Sequence, residues 1–330
     1  MMDRRAFIVS AATGVLAMPL GAFAQQSGKV WRIGFFYFGS RQSALDTGRY
    51  NAFVQGLREL GYVEGKNIII EARFGDGRIE RAPGLAANLV QSKVDVIVAT
   101  GSVAYRALQH ATTSIPVVIT VTNDPVTAGL AASIAQPGGN FTGLADTAVD
   151  LGPKQLELLR APMPQLSRVG VLLNADNVTH PVQMKRLMLA AQRIGIQVVL
   201  AEASTAAEIE SGFGSLAQYR ADAVILFADT YFTQQSQQIA QVALKHRLPS
   251  IYNLHEYAKV GGLMSYGADL VDNFRRAATY VDKILKGANP GELPFEQPTR
   301  YSLAINVKTA RALGLTIPQS LLLRADEVIQ

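Results

Sequence analysis

Val94-Asp95-Val96-Ile97-Val98-Ala99-Thr100-Gly101-Ser102 is a short β-branched apolar run that stops at a polar turn and passes at once into a helical stretch. That order spells a strand, a tight turn and a helix start. Ile115-Pro116-Val117-Val118-Ile119-Thr120-Val121 repeats the device and stops at Thr122-Asn123-Asp124-Pro125, and Pro137-Gly138-Gly139-Asn140-Phe141-Thr142-Gly143 then turns the chain elsewhere. In open parallel sheets a ligand sits beyond the carboxyl ends of the strands, so these two polar clusters are where a site is expected.

Working outward, Val30 to Phe38 is apolar after Arg32, as suits a central strand covered on both faces, and it ends at Gly39-Ser40. Tyr50, Phe53, Val54, Leu57 and Leu60 recur at helical spacing with Gly61 behind them, and Ile68 to about Phe74 forms a second strand. Helices are expected over about 82–91 and 102–110. Beyond Gly143 the alternation starts afresh, with strands at 169–173, 196–200, 223–227 and 249–253 and helices at 152–160, 181–194, 206–219 and 233–246. A strand at 262–267, a long amphipathic helix carrying Phe274, Ala277, Ala278, Val281, Ile284 and Leu285 on one face, and a last strand at 301–307 complete the chain. The fold class is therefore α/β, with two doubly wound parallel-sheet lobes. Their expected limits are 27–144 plus 267–299 and 145–266 plus 300–330, joined by three segments that act as a hinge.

The 330 residues, 48% hydrophobic, are enough for two cores. Arg4-Arg5 precede an apolar run from Ala6 to Leu20 that is too short and too rich in Gly and Ala for a membrane span, and Ala22-Phe23-Ala24 offers a peptidase site. Residues 1–24 are thus an expected removable export signal, of twin-arginine or general type, with an uncleaved anchor as the alternative. A periplasmic protein follows. There is no cysteine, hence neither a disulfide nor a thiolate site, and a formal charge of +5 is too scattered to suit nucleic acid.

Catalytic constellations are missing from the pattern. His110, His180, His246 and His255 lack metal-ligand spacing, and neither a nucleophile elbow nor a Walker loop occurs. No metal, no cofactor and no enzymatic activity are expected. The polar strand ends suit binding without chemistry: Tyr37, Ser40, Thr100, Gly101, Ser102, Thr122, Asp124, Asn174, Asp229 and Asn253 are the candidate ligand-binding residues. Helix-start N–H groups at Thr100-Gly101-Ser102 attract an anion, although Ser102 serves equally as a plain N-cap. Asp124 and Asp229 can balance an ammonium group; Asp124 also suits a turn before Pro125, and Asp229 a helix cap.

Several motifs together resemble a known family. They are Gly34 with Gly56-Leu57-Arg58-Glu59-Leu60-Gly61-Tyr62, Asn123-Asp124-Pro125-Val126 with Gly129-Leu130, and the Pro137 to Gly143 turn, followed by Gln155-Leu156-Glu157-Leu158-Leu159 and Tyr301-Ser302-Leu303-Ala304-Ile305-Asn306 with Lys308-Thr309-Ala310 and Leu313-Gly314-Leu315. The chain resembles the periplasmic substrate-binding components of ABC transporters of the tryptophan/tyrosine type. The resemblance implies a type I binding-protein fold and capture of a small solute, an amino acid or an aromatic or organic acid, by a monomer that hands it to an ABC permease in the inner membrane. A solute-sensing module of a receptor or regulator would share the fold, and a two-lobed enzyme would need a catalytic pair that is not legible here.

Overall fold

The structure, a computed structural model, describes residues 29–146 and 151–330, so the expected export signal over residues 1–24 lies outside the described residues. Strand β1 (Trp31–Tyr37) leads through α1 (Arg41–Asp46) and α2 (Arg49–Glu59) to β2 (Ile68–Phe74). Helix α3 (Ala82–Gln91), β3 (Val96–Thr100), α4 (Ser102–Ala111), β4 (Val117–Ile119) and β5 (Phe141–Gly143) follow. These five strands pair in parallel in the order β2-β1-β3-β4-β5. Both faces are covered: Phe35, Val96 and Val98 pack with Phe53, Leu57 and Phe274, while Phe36, Ile97 and Ala99 pack with Leu89 and Leu108. Burial on two sides is why the strands are continuous apolar runs in sequence.

The second lobe runs through α5 (Leu151–Arg160), β6 (Arg168–Leu173), α6 (His180–Arg193), β7 (Gln197–Glu202), α7 (Ala206–Gln218) and β8 (Ala223–Leu226). It continues with α8 (Thr230–Gln234), α9 (Ser236–Lys245), β9 (Ser250–Tyr252), α10 (His255–Lys259) and β10 (Met264–Ala268). Helix α11 (Leu270–Leu285) then packs on α2 in the first lobe through Phe274, Ala277, Ala278 and Val281. Strand β11 (Tyr301–Asn306) re-enters the second sheet, followed by α12 (Val307–Ala312), α13 (Gln319–Leu322) and β12 (Glu327–Ile329). The second sheet has the order β12-β11-β10-β9-β8-β6-β7.

The chain passes between the sheets three times, after Gly143, at Asp269 and before Tyr301. The first and third passages run side by side, because Ala145 N–H donates to Glu296 O at 3.0 Å and Glu296 N–H donates to Gly143 O at 3.0 Å. Tyr301 Oη donates to Asp146 Oδ1 at 2.8 Å across the same region.

Some elements differ from the sequence expectation. Residues 141–143, expected only to turn the chain, form β5, the edge strand of the first sheet. The helix expected over 233–246 begins at Thr230 and breaks at Gln235, and the short helices α1 and α10 were not expected at all. β11 runs antiparallel to β10 in an otherwise parallel sheet. The cause is topological: β10 leaves its sheet at the interlobe end and the chain returns through that same end.

Candidate functional site

The carboxyl ends of both sheets face a cavity of about 720 Å³. Tyr37, Thr100, Gly101, Ser102 and Thr122 line it from the first lobe, and Asn174, Asp229 and Asn253 from the second. Each sits where a parallel strand ends or just beyond, the place this topology leaves open. The structure thus brings eight of the ten candidate residues together.

Ser40 and Asp124 are elsewhere engaged. The Ser40 hydroxyl accepts from Ser43 N–H at 3.1 Å as the N-cap of α1. Asp124 accepts from the N–H groups of Val126 and Thr127 at 3.0 Å and from Thr127 Oγ1 at 2.7 Å, which makes it a turn residue. Asp124 lines a smaller neighbouring recess instead of the main cavity.

The α4 start has a partner from across the cleft. Ser102 N–H donates to Thr230 Oγ1 at 3.1 Å, and the two hydroxyl oxygens lie 3.2 Å apart. Gly101 meets two demands here. Its φ of +97° suits glycine, and an added Cβ would stand 3.0 Å from Thr230 Cγ2.

Asp229 caps α8 and is 8% exposed. Its Oδ1 accepts from Tyr231 N–H at 2.8 Å, Phe232 N–H at 3.1 Å and Asn174 Nδ2 at 3.3 Å, whereas Oδ2 accepts from Asn177 Nδ2 at 2.9 Å. A carboxylate has about four acceptor positions, two on each oxygen, so among the described residues Oδ2 keeps one unused. His180, fully buried, ties this wall together by reaching both Asn174 and Ala228.

Further residues reach the cleft that sequence reasoning did not single out. Val103, Leu130 and Leu254 add apolar wall beside Phe38, a strand-end aromatic, while Thr230, Asn177 and Gln234 supply polar wall. Tyr105 donates to Val121 O at 2.6 Å, and burial pushes its phenol up to about 12. Arg49 also lines the cavity and is 5% exposed. One signal for it existed: Arg49 shares the i, i+4, i+7 face of α2 with Phe53 and Gly56, both buried, so the charge falls on an inward face.

A second cavity of about 780 Å³ lies between α6 and β7 and is lined chiefly by Met184, Met188, Leu189, Ile196 and Val198. It is slightly larger, yet its lining comes from the second lobe alone, and the cleft enclosed by both lobes is the candidate site on that ground.

The family model described as ABC transporter substrate binding protein matches residues 42–329. The chain belongs to this family. Among solved structures, this substrate-binding protein is similar to a conserved domain protein from Vibrio cholerae, with a TM-score of 0.83 and 30% identity over 91% of this chain and 100% of that one. It is similar also to an ABC domain from Streptococcus pneumonia crystallised with L-Trp, with a TM-score of 0.82 and 26% identity over 91% and 99% of the two chains. A tyrosine-binding protein of Clostridioides difficile (strain R20291) is 28% identical over 264 residues, 80% of this chain and 75% of that protein. The substrate-binding protein therefore has the type I periplasmic binding-protein fold, and its relative from Clostridioides difficile is by name a binding protein.

Proposed function

We propose that this protein is the extracytoplasmic solute-binding component of an ABC importer, and that it captures a small carboxylate-bearing solute, best an amino acid with an aromatic side chain. The observation that carries this reading is a cleft built jointly by two lobes, with a helix start on one wall and a buried carboxylate on the other. Helix-start N–H groups favour a carboxylate. Thr230 Oγ1 now accepts the Ser102 N–H, and a carboxylate oxygen of the solute takes over that bond on entry. The unused acceptor position of Asp229 Oδ2 suits an ammonium hydrogen, and Phe38, Val103, Leu130 and Leu254 accommodate an apolar body. A volume of about 720 Å³ leaves room for an aromatic amino acid. The names of the tyrosine-binding relative and of the L-Trp complex support the same size and charge.

In this reading the lobes, 27–144 plus 267–299 and 145–266 plus 300–330, close on the solute about the three passages. Residues 1–24 direct export and are removed, and the monomer docks on a permease in the inner membrane. Calorimetry on protein stripped of solute tests the assignment, with L-Trp, L-Tyr and L-Phe against their decarboxylated and deaminated analogues. A charge-assisted hydrogen bond contributes about 1.5–3 kcal/mol, so loss of the carboxylate should weaken binding by about tenfold or more. Absence of binding by all three amino acids would overturn the reading.

A further inference from the structure

One amide in the cleft wall finds no partner within the protein. Asn253 directly follows β9, at the carboxyl end of the strand beside β8, the strand that leads to Asp229. Its Oδ1 is buried with no hydrogen-bond partner, and Nδ2 makes no hydrogen bond either among the described residues. The amides near it in the second lobe are engaged. Asn174 and Asn177 donate to Asp229, Gln183 Nε2 donates to Thr179 Oγ1 at 3.1 Å, and Gln155 Nε2 donates to the Tyr252 and Tyr266 carbonyls at 3.4 Å. An amide carries two donor hydrogens and an acceptor oxygen, and leaving both ends unpaired in a wall shut off from solvent is costly.

The backbone under this amide is held firmly. Gln155 ties the Tyr252 carbonyl to that of Tyr266 on β10, and an added Cβ at Gly267 would stand 1.9 Å from Asn253 O, so β10 runs hard against the Asn253 main chain. None of these contacts uses the Asn253 side chain, which is therefore fixed in place without serving the fold. Asn253 lines both the cleft and the smaller recess beside it, as do Thr179 and Ala228. The recess measures about 50 Å³, which admits a hydroxyl with a water and excludes an aromatic ring. Leu254, part of the apolar wall, is the next residue along the chain.

We infer that Asn253 reads the tip of the solute's side chain, and that the ring it selects carries a hydroxyl, which enters the recess while the ring stays in the cleft. A hydroxyl both donates and accepts, so it completes the amide whichever end is turned toward it. An indole N–H only donates and an unsubstituted ring does neither, so burying either against Asn253 leaves the amide wholly or partly unpaired. The proposal rests on the reading of an aromatic amino acid as solute and adds a choice within that class. Asn253 is a specificity residue, separate from the groups given to the carboxylate and the ammonium.

Calorimetry on protein stripped of solute compares L-Tyr with L-Phe, which differ by the hydroxyl alone, and takes L-Trp as a third solute. The wild type is expected to bind L-Tyr about tenfold or more tightly than L-Phe, and more tightly than L-Trp. Asn253→Ala should bring L-Tyr and L-Phe within about threefold of each other, and Asn253→Leu, which keeps the volume and removes the polarity, should reverse their order. The readout is the ratio of the two affinities. A loss common to both solutes leaves that ratio alone, so a merely structural role would not move it. Where Asn253→Ala fails to fold, the wild-type ratio and Asn253→Leu carry the test. A wild-type ratio within about threefold, a tighter L-Trp, or a tenfold ratio that survives in either variant overturns the role of Asn253 while the amino-acid assignment stands. Absence of binding by all three solutes overturns the assignment itself, so the two failures are separate outcomes.

Discussion

The backbone N–H of Asn174 points at His180 Nδ1 from 3.0 Å, while Nε2 on the far side of the ring lies 3.1 Å from Ala228 O. Nδ1 lies 3.1 Å from Asn174 O as well, so the ring meets the Asn174 backbone on one side and the Ala228 carbonyl on the other. One imidazole thus joins the ends of β6 and β8, the two strand ends that carry Asn174 and Asp229.

Burial lowers the His180 pKa below its ordinary value, although Ala228 O and Asp229 pull the other way. An unfolded histidine titrates near about 6.5, so between that value and the lower folded one the unfolded chain binds more protons. Stability should be full above about pH 6.5 and decline as pH falls below it. Thermal melts of wild type and His180→Gln at pH 7.5 and 5.5 check this: the advantage of wild type should shrink at the lower pH, and parallel pH curves would refute the assignment.

Thr230→Val keeps the shape and deletes the hydroxyl that accepts from Ser102. If that hydroxyl competes with the solute carboxylate, the variant should bind the solute more tightly, by about twofold to tenfold for one hydrogen bond of about 0.5–1.5 kcal/mol. Calorimetry measures it, and weaker binding would show that Thr230 instead contributes to holding the solute.

Asp229→Asn should weaken an amine-bearing solute by more than about tenfold and its deaminated analogue far less, since only the charge facing the ammonium is lost. The asparagine also turns an N–H₂ toward Asn177 Nδ2 or toward the α8 cap, so the melting temperature should fall as well, by an amount equivalent to about 1–2 kcal/mol. Ser102→Ala should affect both solutes alike. Equal losses for the two solutes in Asp229→Asn would remove the aspartate from the ammonium role.

Gly101→Ala and Gly143→Ala separate site from scaffold. At Gly101 the new methyl meets Thr230 of the facing lobe and a φ of +97°, so the variant should fold while losing about fivefold or more in affinity, for a strain of about 1–3 kcal/mol. At Gly143 the Cβ would stand 2.2 Å from Ile119 O inside the first sheet, which has no room to yield. Circular dichroism melts should find Gly143→Ala the far less stable of the two.

The local pattern of residues carried much of the architecture. Val96–Ala99 and Ala223–Leu226 read as strands because a parallel sheet covered on both faces needs unbroken apolar runs, and α11 reads as a helix because one stripe of it is buried against α2. The same logic located the cleft, since strand ends in such sheets share one side. Three-residue β5 was not legible: Phe141-Thr142-Gly143 is too short for a period and becomes a strand only by pairing with β4. Nor was the work of Asp229 legible in full, because Asn174 and Asn177 reach it from another loop.

What the amino-acid order determined by itself is therefore the set of strands, helices and polar strand ends, each fixed by interactions within a few residues or by burial of a periodic face. Only the tertiary structure decided which groups meet across the cleft. Ser102 finds Thr230 at a separation of 128 positions and Arg49 finds Glu256 at 207, pairings with no local signature, because they depend on how two separate sheets are set against each other by the three passages between them.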